Sequence, residues 1–267
     1  MYTYSQEHIK LVKKIKRKKT FILIIQLLIA LFFLLAWELL AKNNIINTFL
    51  FSSPSNIIKT LIVLSKSGDL INHIYITFYE TIISFVLANV IGLVVASILW
   101  WNKTLSKILD PYLTVINSLP KVALGPLIII WIGASINSII FMALMISSII
   151  SIINIYNAFY STEESFITLM KALKASKYQI FKKVILPYNL LNIINTFKIN
   201  ISMSLIGVIM GELLVSKKGL GYLISYGSQV FNINLVISAV FILGIISYLM
   251  YFIILYIEKK LTHFYQC

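Results

Sequence analysis

Six long apolar segments divide the chain, and they constrain its fold more than any other feature. A helix of about 20 apolar residues crosses the roughly 30 Å hydrocarbon layer of a membrane. Backbone groups cannot stay unpaired in lipid, and no alternating barrel pattern is present, so each segment should be helical. The sequence therefore predicts an all-α membrane protein with six transmembrane helices at roughly 21–41, 74–101, 112–132, 137–157, 189–214 and 233–257.

The amino-acid composition excludes a soluble globular domain. The chain of 267 residues is 59% hydrophobic and 12% charged, whereas about 25% charged residues are usual in soluble proteins. Its net charge of +14 would suggest a nucleic-acid partner in a soluble protein. Here the charges lie between apolar segments, so we expect no nucleic-acid partner. The one cysteine, Cys267, cannot form an internal disulfide.

The distribution of Lys and Arg predicts the orientation in the membrane. With residues 1–20 inside, the inner segments carry 16 of these residues and the outer segments carry five. Because cytoplasmic loops are enriched in Lys and Arg, we expect a multi-pass protein of the plasma (inner) membrane with both termini in the cytoplasm. The chain then divides into a basic cytoplasmic N-terminal tail, 1–20, and a transmembrane domain, 21–260, in contact with membrane lipid.

Two further apolar segments are too short to span the membrane. Ser53-Pro54 can start a short helix on the outer surface, with Ser as the N-cap and Pro in the first turn. The stretch from Gly219 to Val230 is predicted to dip into the membrane and return. Such a segment must be covered by protein or by a wet cavity.

The inner loop at residues 158–188 is unusually long and amphipathic. Ser161 and Glu164 have the spacing of a capping box at the start of a helix. Lysines occupy the polar positions, and the apolar residues follow helical spacing: Phe166, Leu169, Met170, Leu173, Ile180, Phe181 and Val184. From physical chemistry alone, a helix lying on anionic headgroups and a helix docked on a partner protein are equally good interpretations.

The second half of this loop resembles a known sequence pattern. The run from Lys171 to Pro187 is similar to the cytoplasmic coupling loop of ABC-importer permeases, in which Glu-Ala-Ala and a Gly precede a terminal Ile-x-Leu-Pro. Leu186 and Pro187 match the end of that pattern, whereas Thr168 replaces its Glu and Lys174 replaces its Gly. The resemblance implies that contacts with the ATPase lie at Thr168, Ala172, Leu173, Lys174, Ala175, Ser176, Phe181, Leu186 and Pro187.

The resemblance continues through the fifth span and beyond it. Three segments are similar to the sulfonate/nitrate/taurine-type branch of these permeases: Lys198-Ile199, Gly211-Glu212-Leu213-Leu214 and Gly219-Leu220-Gly221-Tyr222. Upstream similarity includes Pro54-Ser55, Leu119-Pro120 and Trp131-x-Gly133. The match therefore covers most of residues 37–257.

On this resemblance we expect a type I ABC-importer permease fold with a cytoplasmic coupling helix between spans four and five. The implied function is to form the translocation pathway for a small solute, such as a sulfonate, taurine, nitrate or a vitamin precursor. The implied partners are cytoplasmic ABC ATPase subunits, a second permease copy in a homodimer and an extracytoplasmic solute-binding protein. No cofactor is expected on this chain, because ATP binds to the ATPase subunits.

Polar residues inside the spans are candidates for the translocation pathway, because polarity is costly in lipid. Asn195, Lys198 and Ser202 share one helical face. Glu212 lies about 21 Å farther along the fifth span, near the same face. Packing between helices through Asn and Ser is the alternative interpretation. The predicted pathway residues are Asn195, Lys198, Ser202, Glu212, Gly219 and Gly221.

The sequence also makes predictions for two carboxylates near span ends and for two prolines in the third span. Glu38 and Glu80 are expected to face lipid headgroups near the outer ends of the first two spans. Pro120 and Pro126 are expected to kink or break the third span. A break there would either open the lining of a pathway or accommodate a neighbouring helix.

Several catalytic motifs are missing from the sequence. It contains no phosphate-binding loop, no His-Glu-x-x-His and no Gly-x-Ser-x-Gly, and its three histidines are scattered. We therefore expect neither a metal site nor an enzymatic activity, with ATP hydrolysis on a separate subunit. The alternative function is a stand-alone secondary transporter driven by an ion gradient. Such proteins often show internal halves and a charged pair at mid-membrane, and neither is evident here.

Overall fold

The computed structural model describes the backbone of residues 6–265 and the side chains of residues 13–260, so part of the predicted tail and Cys267 lie outside the described residues. Within residues 6–265 the chain is helical and contains no strand. The α-helices are α1 (Gln6–Lys42), α2 (Thr48–Phe51), α3 (Pro54–Lys66), α4 (Asp69–Trp101), α5 (Lys103–Ser118), α6 (Gly125–Ile132), α7 (Ile136–Tyr160), α8 (Glu164–Ala172), α9 (Lys177–Ile180), α10 (Leu186–Tyr188), α11 (Leu190–Val215), α12 (Leu220–Gln229) and α13 (Ile233–Tyr265). A 3-10 helix at Lys121–Leu124 precedes α6, and a π-helix at Phe181–Ile185 separates α9 from α10.

Five helices of the described chain are long and apolar enough to cross a membrane: α1, α4, α7, α11 and α13. The predicted third span is different, because α5 and the segment Lys121–Ile132 are bent by 83° against each other. The break falls at Leu119-Pro120, where proline lacks an N–H and holds the preceding residue extended. The expected break in the span predicted over 112–132 is therefore confirmed at Pro120. Six spans result when the bent pair is counted as one.

Helices α4, α7 and α11 form the centre of the bundle and are held together by a buried polar contact. Asn200 Nδ2 of α11 donates to Asn89 Oδ1 of α4 over 2.8 Å. Ser151 Oγ of α7 donates to the same oxygen over 3.3 Å. All three residues are buried, so one amide oxygen joins three helices. Hydrogen bonds between polar side chains of neighbouring helices stabilise the packing of membrane-spanning helices.

The two segments predicted to be too short to span the membrane each form a short helix at one end of the bundle. Ser53 is the N-cap of α3 and accepts from the N–H of Asn56 at 3.2 Å, with Pro54 in the first turn. Helix α12 occupies Leu220–Gln229 and packs against α13, α11 and α4. These three helices therefore cover α12. A short segment that dips into the membrane needs such a cover. We call this end of the bundle the α3 side and the opposite end, which carries residues 158–188, the loop side.

Among the described side chains of α1, burial is confined to the last turns, where Ala36, Trp37 and Glu38 are half-buried and Ala41 is buried. The most apolar part of α1 has no buried residue. At its α3 side, Glu38 accepts from the backbone N–H of Ser55 at 3.0 Å and pairs with Lys42. Glu38 therefore caps the start of α3 as well as lying near the end of a span.

Candidate functional site

A buried carboxylate, Glu212 of α11, joins three helices on the α3 side. Glu212 is 1% exposed. The hydroxyl of Thr77 in α4 donates to Glu212 Oε1 over 2.6 Å, and the N–H of Gly221 in α12 donates to Oε2 over 2.6 Å. The Thr77 oxygen also accepts from the N–H of Leu220 at 2.8 Å. The carboxylate thus lies at the N-terminus of α12, where a negative charge is stabilised by aligned N–H groups.

Two glycines let the start of α12 approach this carboxylate. Gly219 has φ +105°, and a Cβ at this position would lie 2.2 Å from Glu212 Oε1. A Cβ at Gly221 would lie 2.7 Å from the Cβ of Glu212. The N–H of Gly219 donates to His73 Nδ1 of α4 at 2.9 Å. Close approach and a left-handed backbone therefore require the two glycines of the Gly-Leu-Gly segment.

Glu80 of α4 lies one helical turn after Thr77 on the same buried face, which places it beside the Glu212 carboxyl group that Thr77 binds. Glu80 is 2% exposed, and its Oε2 is buried without a hydrogen-bond partner. The expectation that Glu80 faces headgroups is wrong, because α11 covers this face of α4. Within residues 13–260 no group of three or more His, Cys, Asp or Glu could hold a metal ion.

The sequence contained a signal for this cluster on α4 that was missed. Four polar residues recur on one face of an otherwise apolar helix, and all are buried: Thr77, Glu80, Thr81 and Ser84. Polar side chains inside a membrane span normally face the bundle interior. Their spacing alone could therefore have placed Glu80 inside the bundle rather than at the lipid surface.

The other predicted pathway residues of α11 lie apart from Glu212. Lys198 Nζ forms an ion pair with Glu258 Oε1 of α13 at 2.9 Å, and both side chains are about one-fifth exposed. Asn195 is exposed and Ser202 is half-buried. Lys198 and Glu212 therefore contact different neighbouring helices. Their joint role in a pathway stays a prediction.

The loop at residues 158–188 forms two helical arms around a tight turn. The first arm, α8, ends at Ala172, and Lys174 in the turn has φ +56°. Ser176 is the N-cap of the second arm and exchanges a capping-box pair of hydrogen bonds with Gln179. The predicted coupling helix is therefore present between the fourth and fifth spans, as two short helices. The turn between them forms with Lys174 in the left-handed region, at the position where the coupling-loop pattern has a glycine.

The predicted capping box at the start of the loop is also wrong. Glu163 is the N-cap of α8, and its side chain makes no capping hydrogen bond. The Ser161 hydroxyl donates to the carbonyl oxygen of Ala158 at 2.9 Å. Ser161 therefore belongs to the end of α7, because both its backbone N–H and its hydroxyl bond to carbonyl oxygens of the last turn.

The second arm is anchored to the bundle through aromatic side chains. The ring centroid of Phe181 lies 5.0 Å from that of Trp100 at the end of α4 and 5.5 Å from that of Phe159 in α7. Lys177 Nζ donates to the carbonyl oxygen of Trp101 and lies 5.8 Å from the Trp100 ring centroid. Cations near a helix C-terminus and over an indole face are both stabilising. The anchor therefore fixes the second arm to the ends of α4 and α7.

The two arms differ in exposure. On the first arm and the turn, Leu169 is 59% exposed and Leu173 is 69% exposed, whereas Ile180 of the second arm is 5% exposed. The remaining predicted coupling residues divide into an exposed and a half-buried group. Exposed are Thr168, Ala172, Lys174, Ser176 and Pro187, and half-buried are Ala175, Phe181 and Leu186.

The fold defines the class of protein. The chain matches a chain of the MetNI methionine ABC transporter in an inward-facing conformation with a TM-score of 0.65 at 21% identity, over 73% of this chain and 97% of the other. It also matches an amino acid ABC transporter structure determined with histidines, with a TM-score of 0.56 at 15% identity, over 75% of this chain and 96% of the other. This is the predicted fold of a type I ABC-importer permease.

The chain belongs to the family of binding-protein-dependent transport system inner membrane components, whose sequence profile matches residues 88–263. A putative aliphatic sulfonates transport permease protein of Bacillus subtilis is 26% identical over 225 residues, which are 84% of this chain and 82% of the relative. A formylaminopyrimidine transport permease protein of Halalkalibacterium halodurans is 28% identical over 222 residues, which are 82% and 88% of the two chains. The predicted function as the membrane-spanning permease subunit of an ABC importer is thereby confirmed.

Proposed function

We propose that this permease pairs with a second copy of itself to import a small solute of the sulfonate, taurine, nitrate or vitamin-precursor type. Its relatives are named for aliphatic sulfonates and for formylaminopyrimidine. An extracytoplasmic binding protein delivers the solute, and cytoplasmic ABC ATPase subunits supply the energy. The family description, with its dependence on a binding protein, supports this set of partners.

The observation that carries the proposed ATPase contact is the exposed apolar surface of α8 and its turn. Leu169 and Leu173 are both more than half exposed, although the second arm close by is anchored through Ile180 and Phe181. Exposed apolar groups on an otherwise anchored element typically mark an interaction site. The first arm therefore contacts the ATPase, and the second arm passes the movement to α4 and α7.

The chemical energy comes from another polypeptide. The chain has no phosphate-binding loop, and such a loop holds the phosphates and the Mg²⁺ in many ATPases. ATP is therefore bound and hydrolysed on the ATPase subunits, and this chain binds no cofactor of its own. Its contribution is mechanical: the two-armed loop converts closure of the ATPase dimer into movement of the spans.

The loop side faces the cytoplasm in this proposal, and the α3 side faces outward. The basic residues of α1 from Lys13 to Lys19 are exposed and contact anionic headgroups of the inner leaflet, as expected for Lys and Arg at a cytoplasmic membrane surface. Both termini are then cytoplasmic, in the plasma (inner) membrane.

The pathway runs along the exposed side of α11. Asn195 and Ser202, which are not fully covered by their own chain, face the second permease copy across the solute path together with Lys198. Glu212, Gly219 and Gly221 hold the outer end of this path in place. The exposure of Asn195 supports this arrangement, because an amide facing lipid would be costly.

The test is uptake by vesicles that contain the full permease, its ATPase subunits and the binding protein. Radiolabelled taurine and formylaminopyrimidine are offered with ATP inside the vesicles, or with a sodium or proton gradient and no ATP. We expect uptake of one solute that requires both ATP and the binding protein. A matched ATPase variant without the phosphate-loop lysine is the control. Uptake driven by an ion gradient alone would support the secondary transporter instead.

A further inference from the structure

We propose that Glu80 and Glu212 hold one proton between them, and that this proton-binding site joins α4 to α11 and α12 on the α3 side. The proton is carried by Glu80 and donated to Glu212. The site lies outside the coupling loop and does not depend on which solute is transported.

Glu212 is the acceptor of the pair because both of its oxygens already receive donors. Thr77 O–H occupies Oε1 and Gly221 N–H occupies Oε2, each at 2.6 Å. An ionised carboxylate only accepts hydrogen bonds, whereas a protonated one must also donate. With one donor on each oxygen, an ionised Glu212 still has free lone pairs that can accept a third hydrogen bond, from the Glu80 O–H. The N-terminus of α12 further favours the negative charge on Glu212.

Glu80 has none of these stabilising partners. It is 2% exposed, lies beside Glu212 and has a buried Oε2 without a hydrogen-bond partner in the described part of the chain. Within residues 13–260 neither Glu80 nor Glu212 forms an ion pair with a Lys or Arg, so no positive charge compensates a second negative charge here. Two buried carboxylates in contact cannot both be ionised, whereas one proton between them forms a hydrogen bond.

The surrounding groups leave the proton on this pair. His73 uses Nδ1 to accept from Gly219 N–H and stacks on Tyr222. The charged groups Asp69 and Lys218 interact electrostatically with His73. Thr81, one residue after Glu80, donates its hydroxyl to the Thr77 carbonyl at 2.6 Å. The carboxyl–carboxylate hydrogen bond is therefore the direct polar link from Glu80 to α11.

The test compares Glu80→Gln with Glu212→Gln in the full chain reconstituted in lipid nanodiscs. Glutamine at 80 keeps an N–H donor toward Glu212, so the thermal midpoint should stay within about 2 °C of wild type. Glutamine at 212 places an amide N–H against Thr77 O–H or Gly221 N–H, so the midpoint should fall by more than about 4 °C. Equal losses in the two variants would overturn the assignment of the proton to Glu80.

Infrared spectroscopy supplies a readout that a purely structural role would not change. Wild type should show the C=O stretching band of a buried protonated carboxylic acid at neutral pH, and Glu80→Gln should lack it. Glu38→Gln is the matched control and should keep the band, because Glu38 is paired with Lys42. The proposal fails if the band is missing from wild type or survives in Glu80→Gln. A bound sodium ion is the alternative to the shared proton. In that case wild type would lack the carboxylic-acid band and would be stabilised by NaCl but not by KCl, and the proposal would fail. None of these readouts depends on transport.

Discussion

The hydroxyl of Thr77 lies 2.6 Å from Oε1 of Glu212, so one short hydrogen bond joins residues 135 positions apart in the chain. Thr77 is fully buried, and its oxygen also accepts the N–H of Leu220. A single hydroxyl group therefore links α4, α11 and α12 at the end of the bundle that we assign to the outside.

Replacing Thr77 by Val should destabilise this end of the bundle. Valine has nearly the same shape but leaves the N–H of Leu220 and one oxygen of Glu212 without their partner. Unsatisfied buried polar groups cost about 1–3 kcal/mol each, so we expect a loss of at least about 2 kcal/mol in thermal or denaturant unfolding. Thr77→Ser retains the hydroxyl and is the control, with a smaller loss. Wild-type stability in Thr77→Val would show that the bond contributes nothing.

Gly219→Ala should be among the most damaging alanine substitutions in the chain. Its φ of +105° is unfavourable for alanine, and the new Cβ would lie 2.2 Å from a carboxylate oxygen. Strain and overlap together should cost about 2–3 kcal/mol. Gly244→Ala is the matched control, because nothing lies within 4 Å of its Cβ position, and it should stabilise α13 by about 0.5–1 kcal/mol. Thermal unfolding of both variants measures the difference, and equal effects would contradict the close approach.

Leu173→Asp should detach the ATPase without unfolding the permease. Leu173 is 69% exposed, so a charge there should change the stability of the free permease by no more than about 0.5 kcal/mol. Removing an apolar side chain from an interface core costs about 1.5–3 kcal/mol of binding. Lys171→Ala, on the same arm, is the control and should have little effect, because exposed ion pairs contribute about 0–1 kcal/mol. Co-purification of the ATPase and its solute-stimulated activity are the measurements. Normal coupling in Leu173→Asp would mean that this arm lies on the membrane.

Lys174→Gly should stabilise the turn between the two arms. Lys174 has φ +56°, a conformation that costs a non-glycine residue about 1–2 kcal/mol. We expect a gain of about 0.5–1 kcal/mol, while Lys174→Val should lose about 1 kcal/mol because β-branched residues resist this conformation. Hydrogen exchange of the amides at 170–176 reports the local stability. Lys171→Gly, inside α8, is the control and should lower the protection of the same amides from exchange. Lower protection in Lys174→Gly as well would show that the turn is not left-handed.

Cysteine labelling should place the two ends of the bundle on opposite sides of the membrane. In a Cys267→Ser background, Ser67→Cys should react with an impermeant thiol reagent in intact cells. Lys183→Cys should react only after permeabilisation. Both positions are exposed, so access rather than burial decides the result. Labelling at position 183 in intact cells would reverse the proposed orientation.

The spans were predictable because a membrane leaves few alternatives. Apolar length alone identified α4, α7, α11 and α13, since lipid requires every backbone group to pair within its own helix. The break in the third span was likewise foreseen, because Pro120 cannot continue a helix. Its 83° angle was not, since proline removes a hydrogen bond but does not specify the direction in which the chain continues.

The contacts between helices could not be derived from the same patterns. The sequence placed Glu212 in the fifth span and Gly219 and Gly221 in the short segment after it. It did not show that α12 folds back so that its first residues contact the Glu212 carboxylate. Spacing likewise predicted an amphipathic helical loop at residues 158–188, but not that Phe181 packs against Trp100 and holds the second arm on the bundle. Periodicity identifies which residues share a face of one helix. Which faces meet depends on side chains far apart in the chain, and on the free energy of packing them together.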